Sequence, residues 1–157
     1  MLRLAPMNED DLAAYLERSI AEYAREKVQA GNWPSEVALE RAEQEVRSLL
    51  PEGLETPGQH FITLVDDQLD THVGVLWFGV RDDGAGPYAW VWDIRIDEDF
   101  RRRGYAMAAF RALEDRVRAM GLSAISLHVF GHNKAARALY DKLGFEVTNL
   151  NLSRHLQ

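Results

Sequence analysis

Three consecutive cations, Arg101, Arg102 and Arg103, run into Gly104-Tyr105-Ala106 between an apolar strand-like stretch, Ala89 to Ile96, and a helix-like one, Met107 to Met120. This order suits a phosphate. Glycine lets the backbone approach an anion closely, successive N–H groups point at its oxygens, and a helix N-terminus adds partial positive charge. Arginines are unusual where the macrodipole favours acids, so the tripeptide predicts an anionic ligand; a solvated basic turn is the plainer explanation. A second group lies further on. Asn133 and Tyr140 are two helical turns apart and share a face with Ala136, whose small side chain would let a ligand lie against the helix. The Tyr140 hydroxyl could protonate a leaving thiolate, while an N-cap Asn and a packed Tyr would account for the same pair without chemistry.

The elements that must position these groups follow from periodicity. Asn8 reads as an N-cap with Glu9, Asp10 and Asp11 behind it, and Leu12, Leu16, Ile20, Tyr23 and Ala24 recur at helical spacing until Gly31. Pro34-Ser35 starts a second helix carrying Ala42, Val46, Leu49 and Leu50. Phe61 to Val65, Val73 to Val80 and Tyr88 to Ile96 read as strands, and a helix runs to Met120 with Gly121 behind it. Ser123 to Phe130 reads as a buried strand, Asn133 caps a short helix closed by Gly144, and Val147 to Leu152 reads as a last strand. The expectation is one mixed α/β domain over residues 1–157.

Composition narrows the chemistry. With no cysteine among 157 residues, disulfides, thiolate metal sites and cysteine nucleophiles are excluded, and a reducing cytoplasmic location fits. A formal net charge of -7 argues against general nucleic-acid binding and favours cationic partners such as amines. No apolar run reaches the length of a membrane span, and Met1 to Pro6 lacks a signal-peptide core. His60, His72, His132 and His155 have no zinc-like spacing, and the paired acids read as turn solvation, so no metal is expected.

Together the two stretches resemble the GCN5-related N-acetyltransferase (GNAT) superfamily. Arg101-x-x-Gly104-x-Ala106 matches its pyrophosphate loop, and Asn133-x-x-Ala136-x-x-Leu139-Tyr140-x-x-x-Gly144-Phe145 matches its tyrosine-helix signature without a gap. The resemblance covers the chain from about Phe61 onward, so residues 1–59 correspond to the variable helical acceptor side and 60–157 to an acetyl-CoA-binding core. It implies an open, twisted, mixed and mostly antiparallel sheet of about seven strands flanked by helices, with acetyl-CoA between two splayed central strands. The implied reaction is acetyl transfer to a primary amine, from a small molecule or a peptide, by direct attack in a ternary complex. Backbone N–H groups from Arg102 through Tyr105 to Ala106 would take the pyrophosphate, with Arg101, Arg102 or Arg103 adding charge. The pantetheine arm would pair with Ile94 and Ile96, and an N–H near Ile94 to Arg95 would receive the developing oxyanion. Tyr140 would protonate the CoA thiolate, and Asn133 would contact the cofactor or a water beside it. A homodimer is a further family expectation. A non-catalytic acetyl-CoA-binding sensor or interaction domain is the alternative reading.

An attacking alkylammonium must lose a proton, so a base or a water chain is wanted. His128 is the favoured candidate, since it alternates with Leu127 and Val129 and should face away from the core. The branch of the family that modifies ribosomal-protein N-termini has a Glu at the matching position, and a histidine hydrogen-bonded within the sheet is the structural alternative. Asp93, beside the expected thioester position, is the second choice. Tyr23, Asn32 and Trp33, near the turn between the first two helices, are candidates for the acceptor pocket.

Overall fold

Asn8 starts the first helix as its residue type predicts: its side chain accepts the Asp11 backbone N–H at 2.8 Å, and Glu9, Asp10 and Asp11 fill the first turn. The computed structural model describes all residues, Met1–Gln157. This helix, α1, spans Glu9–Gln29, and α2 spans Ser35–Leu49. The strands are β1 (Leu2–Pro6), β2 (Gln59–Asp66), β3 (Thr71–Asp82), β4 (Pro87–Ile96) and β5 (Ile125–Leu127). They form one sheet in that order; the first four are antiparallel neighbours, and β5 runs parallel to β4. Helix α3 (Tyr105–Ala119) makes the crossover between β4 and β5, and α4 (Lys134–Lys142) follows β5. None of the helices is long and apolar enough to cross a membrane.

Successive strand residues face opposite sides, so the sheet carries two cores. Ile62, Leu64, Leu76, Phe78 and Val91 pack with Ala109, Phe110, Leu113 and Val117 of α3. Phe61 and Trp77 pack on the other side with Leu12, Tyr15, Ile20 and Ala24 of α1 and Ala38, Ala42 and Val46 of α2. Between these layers the β3–β4 ladder slips: Trp77 pairs with Asp93 but Phe78 with Val91, leaving Trp92 as an extra residue in β4. Such a bulge bends the strand and re-aims its side chains. Beyond it, Gly74 lets β3 lie close against β4, because a Cβ there would sit 2.2 Å from the Arg95 carbonyl oxygen.

Three expectations need correcting. The sheet has five strands, not about seven. The strand expected over Ser123 to Phe130 shrinks to Ile125–Leu127, because β4 offers it a pairing edge only as far as Val91. Val147 to Leu152 forms no strand: every residue from Glu146 to Gln157 is exposed, and apolar alternation without a ladder of backbone hydrogen bonds does not make a strand. β5 is consequently the edge of the sheet, and the gap beside β4 opens near that edge instead of between two central strands. Conversely, Leu2–Pro6 forms β1, which the short apolar run ending in Pro6 did not announce; it is held by pairing such as Leu4 with Leu64.

Candidate active site

The β4–β5 ladder runs only from Ala89↔Ile125 to Val91↔Leu127, so from the Trp92 bulge onward β4 has a backbone edge with no strand beside it. The Asp97 N–H returns to the Val73 carbonyl of β3 at 2.8 Å. Strand alternation then turns the backbone groups of Ile96 and Ile94 to the open side. The Ile96 carbonyl already accepts from Arg101 Nε at 3.0 Å, which draws this arginine to the mouth of the slot. An extended chain of amides could pair along such an edge as an added strand.

At the same mouth, Arg102 and Gly104 take left-handed backbone conformations, φ 61° and 83°. Gly104 does so without strain, whereas Arg102 is a non-glycine residue held in a costly region. Gly104 is the N-cap of α3, no side chain caps that end, and its first turn holds no acid. Its leading backbone N–H groups are therefore free to meet an anion, beside the exposed side chains of Arg101, Arg102 and Arg103. The Tyr105 side chain turns away: its O–H donates to Asp66 Oδ2 at 2.6 Å. Asp66 also accepts the N–H groups of Gln68 and Leu69, and these donors, the Tyr105 hydroxyl foremost, hold its carboxyl below the usual range. The start of α3 is thus moored to the β2–β3 turn, and Tyr105 offers a ligand its backbone alone.

Asn133 caps α4, its Oδ1 accepting the Ala136 N–H at 3.2 Å. Tyr140 rests edge-on against Phe110 and Phe145, with ring centroids 5.8 and 5.6 Å away. Burial, then the charges of Asp93 and Glu26, push its hydroxyl up to about 12. Asp93 leaves the sheet on the α1 side, where its Oδ2 accepts the Tyr15 O–H at 2.7 Å; Tyr15 is 3% exposed. Burial raises the Asp93 carboxyl above the usual carboxylate range despite that hydrogen bond and the nearby Arg95. Arg95 in turn donates to Glu22 Oε2 at 2.7 Å. Glu26 is also raised, chiefly by burial, with His132 opposing and Asp93 reinforcing the shift. Asp93, Tyr140, Glu22, Glu26 and His132 therefore share one electrostatic neighbourhood where α1 approaches β4 and α4.

His128 lies just past β5, edge-on to Phe130 at 4.8 Å, and burial followed by the Lys27 charge lowers its pKa. Lys27 connects this region to the α1–α2 turn, its ammonium lying over the rings of Tyr23 and Trp33 at 5.6 and 5.1 Å. Those two rings meet edge-on at 5.6 Å, and the Tyr23 hydroxyl donates to Glu45 of α2 at 2.7 Å. Tyr23 and Trp33 thus come together and brace the turn between α1 and α2. Asn32 is exposed, and its backbone N–H bonds to the Lys27 carbonyl.

Sequence reading passed over Tyr15, Glu22 and Glu26. They fall at i, i+7 and i+11 on α1, a polar stripe on a helix otherwise read for its apolar one. That spacing was the available signal.

Comparison with known proteins gives this geometry its context. Residues 13–145 match the acetyltransferase (GNAT) family. The chain belongs to the GNAT family of acetyltransferases. Over 155 residues it is 39% identical to YycN of Bacillus subtilis (strain 168), named as an uncharacterized N-acetyltransferase, covering 99% of both chains. The crystal structure of YycN superposes with a TM-score of 0.94 at 38% identity, over 100% of this chain and 99% of that one. YdgE of the same organism, likewise named as an uncharacterized N-acetyltransferase, is 29% identical over 153 residues, covering 98% and 97%. A shorter match, 37% over 57 residues and 36% and 38% of the two chains, reaches the [ribosomal protein bS18]-alanine N-acetyltransferase of Escherichia coli (strain K12). GNAT enzymes use acetyl-CoA as the acyl donor. The GNAT match begins inside α1 and ends at Phe145, so it takes in the Tyr15–Asp93 contact, the arginine loop and the tyrosine helix but not the exposed tail.

Proposed function

We propose that this protein transfers the acetyl group of acetyl-CoA to a primary amine, in the cytoplasm, by direct attack within a ternary complex. The observation that carries the proposal is the unpaired β4 edge, which starts at the Trp92 bulge beside Asp93 and ends at the uncapped, arginine-flanked N-terminus of α3. These features fit a long donor with amides in its middle and a pyrophosphate further out. Arg101, Arg102 and Arg103 with the N–H groups of Gly104, Tyr105 and Ala106 receive the pyrophosphate. The backbones of Ile94 and Ile96 pair with the pantetheine arm, and Asn133 and Ala136 line the α4 side. Arg101→Ala removes both a charge and the hold on Ile96, and should weaken acetyl-CoA binding about tenfold or more by calorimetry, the range of one charge-assisted hydrogen bond.

In the transfer, the amine nitrogen bonds to the thioester carbon while the C–S bond breaks. A backbone N–H near Ile94 to Arg95 stabilises the oxyanion. Tyr140 donates its proton to the departing thiolate, and Asp93, oriented by Tyr15, accepts the ammonium proton. Because the Asp93 pKa is raised, the rate should climb with pH through a value above the usual carboxylate range. Tyr140, held up to about 12, adds no descending limb at ordinary pH. His128 is the second candidate base, favoured by its lowered pKa, which keeps the imidazole neutral and able to accept a proton at neutral pH. His128→Gln should then depress the rate most near neutrality and flatten the pH profile; an unchanged profile removes His128 from the reaction.

The acceptor is read as a cationic amine, from the Glu26 and Asp93 carboxyls beside Tyr140 and the net charge of -7. The E. coli relative's name specifies a protein alanine, so peptide N-termini belong in the assay with small amines. The test is acetyl-CoA binding by calorimetry, then thiol release across that panel. Binding with amine-dependent release supports the proposal; binding without release from any amine favours a sensor domain.

A further inference from the structure

Lys27 is half-buried on α1, yet it forms no ion pair. Its ammonium lies over two aromatic faces instead, 5.6 Å from the Tyr23 ring centroid and 5.1 Å from that of Trp33. Ring faces hold a cation in place without neutralising it. The rings are themselves fixed: Tyr23 stands one helical turn before Lys27, and Trp33 folds back from the α1–α2 turn to meet it edge-on at 5.6 Å. Glu45, the acid nearest these rings, accepts the Tyr23 hydroxyl at 2.7 Å and leaves the ammonium unpaired. Acids are not scarce in a chain with 25 of them against 18 Lys and Arg. One turn back on the same helix, Glu22 does pair, with Arg95 at 2.7 Å.

The position of this free charge is informative. Tyr15 and Glu22 bind Asp93 and Arg95 of β4, and Glu26, one turn beyond Glu22, bears with Asp93 on Tyr140. Lys27 is the next residue, turned about 100° around the helix. Its charge reaches His128, as that of Glu26 reaches His132. His128, Phe130 and His132 form one continuous wall, with successive ring centroids 4.8 and 5.4 Å apart. The helix therefore faces that wall with a cation at one end and an acid at the other. His128 is exposed, so the cationic end is open to a ligand.

We propose that Lys27 binds a carboxylate of the acceptor, so that the primary amine to be acetylated and a carboxylate belong to one molecule. The ammonium end faces Glu26 and Asp93 beside Tyr140, and the carboxylate meets the Lys27 ammonium above Tyr23 and Trp33. A diamine is disfavoured by the same arrangement, since its second ammonium would meet a like charge. A free amino acid and a peptide with an acidic first residue present the same pair of groups. The inference names the acceptor class of the acetyl-transfer reading and rests on it.

The test is affinity for the enzyme–CoA complex by calorimetry, with thiol release from acetyl-CoA followed in parallel. The probes are the common amino acids as free acids and as primary amides, and short peptides beginning with Asp or with Asn. Affinity is the deciding readout, because amidation also changes the basicity of the amine. At least one free acid, or the Asp peptide, should bind about tenfold or more tightly than its neutral counterpart, the range of a charge-assisted hydrogen bond. Lys27→Gln, which keeps a helix-forming residue, should bring that ratio close to one, and Lys27→Arg should retain most of it. A preference among the free acids assigns a small amino acid, and one confined to the peptides assigns a peptide N-terminus. Equal binding of acid and neutral partner, a preference that survives Lys27→Gln, or no binding by any carboxylate-bearing probe would overturn the proposal. Thiol release that ignores the carboxylate would leave acetyl transfer standing and remove the Lys27 site. Preferential binding without release would do the reverse.

Discussion

Tyr140→Phe should lower kcat by about 10²–10⁴-fold while leaving acetyl-CoA affinity nearly unchanged, the range by which a positioned general acid speeds a reaction. The substitution removes one oxygen and leaves the ring that packs against Phe110 and Phe145, so α4 keeps its place. The effect should fall on chemistry because a thiolate must leave as the amide forms, and a hydroxyl held protonated up to about 12 delivers a proton at any ordinary pH. Calorimetry and steady-state kinetics on the same preparation separate the two roles. If binding fell with kcat, Tyr140 would be part of the donor site; if neither changed, the thiolate would take its proton from water.

Asp93→Asn is the second large effect, again about 10²–10⁴ in kcat if Asp93 is the base. It should also abolish the rise of rate with pH attributed to the carboxyl. The variant keeps the side chain's shape and an oxygen to accept from Tyr15, so lost activity should not come with lost folding. Stability should move the other way. The folded-state pKa of Asp93 lies above its unfolded value, so the folded protein binds more protons between the two. The wild type therefore loses stability as pH rises from the ordinary carboxylate range, near 3.9, through the raised value. A neutral Asn escapes that loss, and urea midpoints at neutral pH should be equal or higher for the variant. Reduced activity with undiminished stability is what a buried base would show; a merely structural aspartate would lose both.

Much of this site was legible in the sequence because it rests on local signals. The arginine loop, the Gly104 turn and the Asn133 cap each depend on residues within one helical turn, and each forms as its chemistry requires. The open edge of β4 was harder to read. Nothing within Tyr88 to Ile96 announces the extra residue at Trp92, since a bulge is defined by the partner strand's register. The partners of Asp93 were hidden for a related reason: Tyr15 is 78 residues away in the chain. Periodicity on α1 reported its apolar face, and the polar stripe of Tyr15, Glu22 and Glu26 was left uninterpreted. The tail shows the limit of local pattern most clearly. Val147 to Leu152 alternates like a strand, but a strand needs a partner ladder, and this segment makes none with the free edge of β5.

The most direct test of the central claim is to count products in one vessel. Enzyme would be incubated with excess acetyl-CoA, with and without an amine that supports thiol release, and free CoA, acetylated amine and the mass of the intact protein measured together. Direct transfer predicts one CoA released for each acetylated amine, an unmodified protein mass throughout, and no release beyond slow hydrolysis when amine is absent. A burst of CoA equal to the enzyme concentration without amine, with a protein heavier by one acetyl group, would contradict it.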